Sequence, residues 1–298
     1  MKNLIFSLLI KFDIQNDNGP CDLLCSKIYF DYKDVFLKDK LDYARRCDAD
    51  FILVENDDYF DKVWAPEMKE KFPYVSMFDI IQYYKIRLAG LFAEKYDNVL
   101  YLDFDMTYGN AIPPNIFESF DFTEKLVARK KTYDMYAGDQ FKIEPSSRKA
   151  FIANFLCNIN SATYAYQNGG LFNFEMWNIN TGLLGLNIET YNRLNYFEHL
   201  EKNLPKLNMI DFDDEYDLSN NTIRFSNEAL ITYCTIQELV ENENVGIKWN
   251  CDIIPPVIKK NNVLEEWYFL HLCDKVYTYE KLTGIDQHRT YEEEPLKL

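Results

Sequence analysis

The most constraining feature of the chain is a periodic stretch in its first third. Met77, Ile80, Ile81, Tyr84, Leu88, Leu91 and Phe92 recur at three- and four-residue spacing, which lays an apolar face along a helix. Short apolar runs stand on either side, Phe51-Ile52-Leu53-Val54 before it and Asn98 to Leu102 after it. Upstream, Leu41 to Cys47 closes an earlier helical stretch, and the chain opens on Leu4-Ile5-Phe6-Ser7-Leu8-Leu9-Ile10. Strand, helix, strand, helix, strand in that order predicts an α/β fold, with a mostly parallel central sheet flanked by helices. Ligands of such sheets bind beyond the carboxyl ends of the strands. The residues just after Leu102 are therefore the first place to look for chemistry.

The opening run superficially resembles a secretory leader. It is short, Lys11 and Asp13 follow at once, and no small-residue cleavage site appears, so we read it as a buried first strand. No apolar run approaches the length of a membrane span. The seven cysteines are odd in number and lack paired Cys-x-x-Cys spacing. Reduced thiols in a cytoplasmic compartment, without a disulfide framework or zinc site, are the simpler expectation. A formal net charge of −16 argues against nucleic acid as a partner, because that is bound largely through neutralised phosphates. Any anionic ligand must then be met by local cations or by a metal.

The second half is less regular. Phe172 to Leu186 reads as strands broken by Asn and Gly, and Ser226 to Glu241 as a helix that Ser226 can cap. Trp249 and His271 fall in or near short strands. No repeat and no Pro/Gly/Ser linker divides the chain. One domain over 1–285, followed by a tail over 286–298, is the expected organisation.

Three Asp-x-Asp triplets occur: Asp48-Ala49-Asp50, Asp103-Phe104-Asp105 and Asp211-Phe212-Asp213. Context separates them. The first ends a helix and the third lies in an acidic loop, where solvated charge is the plain interpretation. Only the second follows a buried strand, and carboxylates there are costly unless paired or coordinated. Their hard oxygens suit Mn²⁺ or Mg²⁺, ions that keep open positions for substrate phosphates. The plainer alternative is a loop carboxylate pair that caps neighbouring backbone N–H groups.

The helix, the strand and Leu100-Tyr101-Leu102-Asp103-Phe104-Asp105 resemble the corresponding block of GT-A glycosyltransferases. The likeness is greatest to the retaining family that includes glycogenin and bacterial galactosyltransferases. Tyr43 to Phe51 resembles the helix-to-strand passage of that family. Asn178-Ile179-Asn180-Thr181-Gly182 resembles its acceptor-side Asn-x-Gly segment, and Trp249-Asn250 and His271 fall in family order. The resemblance implies a single GT-A, Rossmann-like domain with a nucleotide-binding half to about residue 110 and a mixed, acceptor-binding half over 111–285. It implies a metal-dependent enzyme moving a sugar from a nucleotide-diphosphate sugar to a hydroxyl acceptor on a glycan, glycoprotein or glycolipid, with retention of configuration.

Residue by residue, the resemblance makes Asp103, Asp105 and His271 the ligands of Mn²⁺ (or Mg²⁺) and Lys275 a diphosphate contact. The family's glycine and Lys-Pro-Trp ending after the histidine are absent. Asn180 and Gly182 would line the donor and acceptor pocket; an ordinary β-turn would use the same residues. Of the two cations on the periodic helix, Arg87 lies roughly 60° and Lys85 about 100° from Tyr84 on the wheel, which favours Arg87 as the substrate contact. An arginine snorkelling along the core edge fits that position equally. Asn227 and Glu228 open the later helix where the family places an acid-amide pair beneath the sugar, so they are the candidate catalytic residues. Glu228 is also simply favourable at a helix N-terminus. A core histidine is the alternative for His271.

Two rivals remain. Asp103-Phe104-Asp105-Met106-Thr107 also fits the opening motif of haloacid-dehalogenase-like phosphatases, with Asp103 as nucleophile and Asp105 as general acid. A non-catalytic carbohydrate-binding protein with a transferase shell is the other.

Overall fold

The computed structural model describes residues 1–10, 33–55, 57–73, 75, 77–108, 112–123, 125–133, 176–208, 226–238, 240–243, 246–249, 251–253 and 269–271. Its centre is a six-stranded sheet in the order β2-β1-β3-β6-β5-β9. Strands β1 (Asn3–Leu9), β2 (Ala49–Glu55) and β3 (Asn98–Leu102) are mutually parallel, with β1 between the other two. Strand β6 (Met176–Leu186) runs antiparallel to both β3 and β5 (Leu126–Tyr133), and β9 (Cys251–Ile253) pairs parallel with β5. The expectation of a mostly parallel α/β sheet therefore holds: β1, β2, β3, β5 and β9 run in one direction, and β6 is the reversed strand among the six.

Strand β1 shows how the sheet is built. All seven of its residues are buried, as an interior strand covered on both faces requires. Leu4, Phe6 and Leu8 point into one core and Ile5 into the other, the period-two alternation of a strand. The first core packs under α3 (Met77–Ala93) and α7 (Ser226–Glu238); the second packs under α1 (Lys33–Arg46). Helix α1 buries Phe36, Lys40, Tyr43 and Ala44, at the i, i+4, i+7, i+8 spacing of one helical face. It ends at Cys47, and Asp48 turns into β2 with φ 49°, a left-handed conformation that Asp tolerates better than most residues.

A π-helical turn (Phe60–Trp64) leads into α2 (Ala65–Lys71). The remaining helices among the described residues are α4 (Ile116–Ser119), α5 (Ile188–Leu194) and α6 (Tyr196–Asn208). Asn115 and Asn187 cap α4 and α5 by accepting backbone N–H groups. The described residues also form two small sheets: β4 (Met106–Tyr108) with β10 (Phe269–His271), and β7 (Val240–Glu243) with β8 (Gly246–Trp249). No described helix is long and apolar enough to cross a membrane.

Two expectations are corrected. Asn178, Asn180, Gly182 and Gly185 do not break the segment before Leu186; Met176–Leu186 is one strand. Pairing with β5 on either side of Thr181-Gly182-Leu183, and with β3 at Leu183–Leu186, keeps the strand continuous, because packing and pairing outweigh propensity. The irregularity is a bulge within that strand: adjacent Ala128 and Arg129 of β5 pair with Leu184 and Asn180, so Thr181, Gly182 and Leu183 fall out of register. The late helix stops at Glu238, and Glu241 belongs to β7.

Gly185 is where a side chain is excluded. A Cβ there would stand 2.4 Å from the Phe122 ring, and Phe122 is itself fully enclosed. Gly90 meets the Tyr191 ring at 2.2 Å, but Tyr191 is only partly buried and can swing outward. We expect Gly185→Ala to destabilise by about 3 kcal/mol through overpacking. Gly90→Ala should cost less, since helix propensity returns about 1 kcal/mol. Urea midpoints measured with unchanged m-values check the ordering.

Candidate active site

The site forms where β3 leaves the sheet. Asp103 follows the last residue of β3, and its N–H donates to the Gly182 carbonyl of β6 at 2.7 Å. Met106 N–H donates to the Asp103 carbonyl at 3.0 Å, closing a tight turn over Asp103-Phe104-Asp105-Met106. The Asp103 side chain stays partly open at 21% exposure, whereas Asp105 is buried at 2%. Two carboxylates thus stand at the carboxyl edge of the parallel strands, where sheets of this kind hold ligands.

Lysines reach this turn from both faces of the sheet. From α3, the Lys85 ammonium lies 3.6 Å from Asp103 Oδ1 and 4.9 Å above the Tyr101 ring. That separation is an ion pair rather than a hydrogen bond of normal length. Tyr101 OH donates to the same oxygen at 2.6 Å. Burial lowers the pKa of Lys85, opposed by the charges of Asp103 and then Glu228. Burial likewise pushes the Tyr101 phenol well above its ordinary value, with Asp103 adding to the effect, so Tyr101 remains a donor.

From α1, on the other face, Lys40 donates to the carbonyls of Phe104 at 2.8 Å and Met106 at 2.6 Å. It is 2% exposed. Burial brings its pKa down to about 8, against the raising influence of Asp39, Asp105 and Asp103.

The start of α7 closes the site. Asn227 Nδ2 donates to Thr181 Oγ1 at 3.0 Å, and Thr232 Oγ1 accepts the Ile179 N–H at 2.9 Å. These bonds tie the first turns of α7 to the stretch of β6 that receives Asp103. Glu228, 7% exposed, is placed near enough to act on Lys85. Strand β10 pairs with β4 so that His271 stands opposite Met106, the residue after Asp105.

The structure therefore gathers Asp103, Asp105, Asn227, Glu228 and the backbone of Gly182 in one place, with the backbone of His271 alongside. Asn180 lies on β6 opposite Arg129; its side chain, that of His271, and Lys275 lie outside the described residues. Of Arg87 and Lys85, it is Lys85 that the structure brings to the carboxylate turn. Lys85 faces Asp103, while Arg87 is partly exposed and hydrogen-bonds Tyr191 of α5. Helix α3 is buried on nearly every side, including Asp79, Tyr83, Lys85, Ile86 and Gly90, so a single-stripe wheel misplaces its polar residues. Sequence reasoning missed Lys40 altogether. Its signal was available, as a lysine on the stripe Phe36, Lys40, Tyr43, Ala44.

Divalent-cation chemistry fits this donor set. Asp103, Asp105 and Glu228 outnumber Lys40 and Lys85 even before Asp39 is counted, so the enclosed charge is left negative. Among the described residues no three His, Cys, Asp or Glu side chains converge as a complete cation cage. Mg²⁺-type sites commonly use only one or two carboxylates together with substrate phosphates, and that is what Asp103 and Asp105 offer.

No known family profile matches the sequence, and no curated protein matches it significantly. Among solved structures, the chain is similar to a glycosyltransferase involved in glycosylation of the major capsid of PBCV-1. Identity there is 12%, with 92% of this chain and 95% of that chain covered and a TM-score of 0.40. It is also similar to the galactosyltransferase LgtC in complex with donor and acceptor sugar analogs, at 16% identity over 74% of this chain and 69% of that chain, TM-score 0.32.

Proposed function

We propose that the chain is a metal-dependent glycosyltransferase that takes a sugar from a nucleotide-diphosphate donor and passes it to a hydroxyl acceptor. The single observation that carries this is the Asp103-Asp105 turn at the carboxyl end of β3, flanked by a buried lysine and by Glu228 of α7. Asp103 and Asp105 would hold Mn²⁺ or Mg²⁺, with His271 as the further ligand its backbone position allows. Such an ion supplies Lewis-acid neutralisation of the departing nucleotide diphosphate.

The chain's own residues do the rest. Lys85 offsets carboxylate charge beside the ion, so a diphosphate meets cations inside a strongly acidic protein. Asn227, held by Thr181, orients the start of α7. Glu228 would then face the sugar, where a carboxylate stabilises an oxocarbenium-like centre or attacks it. Retention of configuration, Asn180 and Lys275 as substrate contacts, and a glycan acceptor belong to the same proposal.

The test is incubation with Mn²⁺ and a panel of nucleotide sugars, following release of free nucleotide. Slow hydrolysis of one donor, dependent on Mn²⁺, supports the transferase. A second reading is favoured by one contact: the Lys85 ammonium beside Asp103 would also suit a phosphatase nucleophile. Turnover of a generic phosphate ester without use of any donor would select that reading and sink the first. Donor binding without hydrolysis or transfer would select the carbohydrate-binding shell.

A further inference from the structure

We infer that Lys40 is a positioning residue for the Asp103-Asp105 pair: reaching from α1 on the face opposite Lys85, it holds the carbonyls on either side of Asp105 and so sets where that carboxylate stands. The inference rests on the proposed cation site. Its observations are separate from it.

Lys40 occupies a place on the buried face of α1 that an apolar side chain would fill without the desolvation cost of an ammonium. Phe36 before it and Tyr43 after it do so. An ammonium adds directed reach. Two of its three donors go to Phe104 and Met106, residues 64 and 66 positions away in sequence. Those two carbonyls bracket Asp105, so its backbone is pinned on both sides. The Phe36 and Phe104 rings, 5.5 Å apart, enclose the ammonium at 5.8 and 5.3 Å, which excludes water and shortens the list of places the turn can go. Both bonds end on main-chain oxygens, so Lys40 acts on the carboxylate pair through the backbone that carries it. Loss of a group that orients metal ligands in this indirect manner typically costs about 10- to 100-fold in metal affinity.

The experiment titrates Mn²⁺ alone into the full-length protein and reads the free ion by electron paramagnetic resonance. Lys40→Met keeps the stem and removes both bonds. Leu200→Ala, a core truncation on α6 away from the turn, controls for lost stability, and all proteins are compared where circular dichroism shows them folded. Lys40→Met should bind Mn²⁺ about tenfold or more weakly, while Leu200→Ala stays within about twofold of wild type. Lys40→Gln, whose amide can keep one carbonyl bond, should fall between them, and it carries the same comparison if Lys40→Met does not fold. Wild-type affinity in the folded Lys40 variants overturns the positioning role alone. Equal weakening in Leu200→Ala overturns it too, by showing a general effect of stability. A wild-type chain that binds no Mn²⁺ overturns the cation-site reading and this inference with it.

Discussion

Asp105→Asn is expected to lower Mn²⁺-dependent donor turnover by about a thousandfold, equivalent to ~4 kcal/mol of transition-state stabilisation. The substitution is nearly isosteric, yet it removes a formal charge from a residue only 2% exposed. The two lysines at the turn then face one carboxylate fewer, and the cation loses one of its two hard oxygen ligands from the strand exit. Asp103→Asn should act in the same direction, since its Oδ1 also receives Tyr101 OH and the Lys85 ammonium. The discriminating control is Asp50→Asn, from another Asp-x-Asp triplet. Asp50 pairs in register with Leu4 at the amino end of the parallel strands and accepts Tyr96 OH, at the opposite edge of the sheet from Asp103. Its replacement should leave turnover unchanged. Steady-state kinetics on the three folded variants decide the matter, and equal losses in all three would mean that position on the sheet edge is irrelevant.

Alkaline pH is expected to unfold the protein over a narrow range. The phenols of Tyr43, Tyr101 and Tyr196 are buried at 1%, 4% and 2% exposure, and burial is the leading cause raising each pKa. A phenol whose folded pKa is raised contributes stability that is fully present below its free value near 10 and is lost as pH climbs above it. Each such phenol removes about 1.4 kcal/mol per pH unit, so three remove roughly 4 kcal/mol per unit, which exhausts a typical folding free energy within about one to four units. Lys40 acts with the opposite sign. Its folded pKa is lowered to about 8, so the cost of its buried charge is present below that value and is relieved as pH rises toward 10.5. That gain starts near pH 8 and is opposed above about 9 by the Cys47 thiol, whose pKa burial also raises, so the steep fall in stability should begin near pH 10. Urea midpoints against pH, together with tyrosinate absorbance, check this. Phenols that ionise near pH 10 while the fold persists would contradict it.

Much of the first half was legible because its signals are local. The alternation of apolar strands with the 77–93 helix pointed to the sheet, and the turn after Leu102 lies where such sheets bind ligands. What escaped depends on tertiary surroundings. Lys85 and Lys40 are cations at positions that local pattern assigns to a solvent side or to an apolar stripe, and only the packing of α3 and α1 against the sheet shows them aimed at one turn. Strand β6 shows both sides of this: its Asn-Thr-Gly run does mark an interruption, the bulge at Thr181–Leu183, but only pairing with β5 on either side of it shows that the strand continues. Glu228 was legible as a helix-start acid, but its closeness to Lys85 required the sheet that brings residues 85 and 228 together.

The most direct measurement is an anomalous difference map from crystals grown with Mn²⁺ and a nucleoside diphosphate. A peak bound by the Asp103 and Asp105 carboxylates, with diphosphate oxygens on the same ion, is the predicted result. A nucleotide bound elsewhere on the sheet edge, with no Mn²⁺ at these two aspartates, would contradict it.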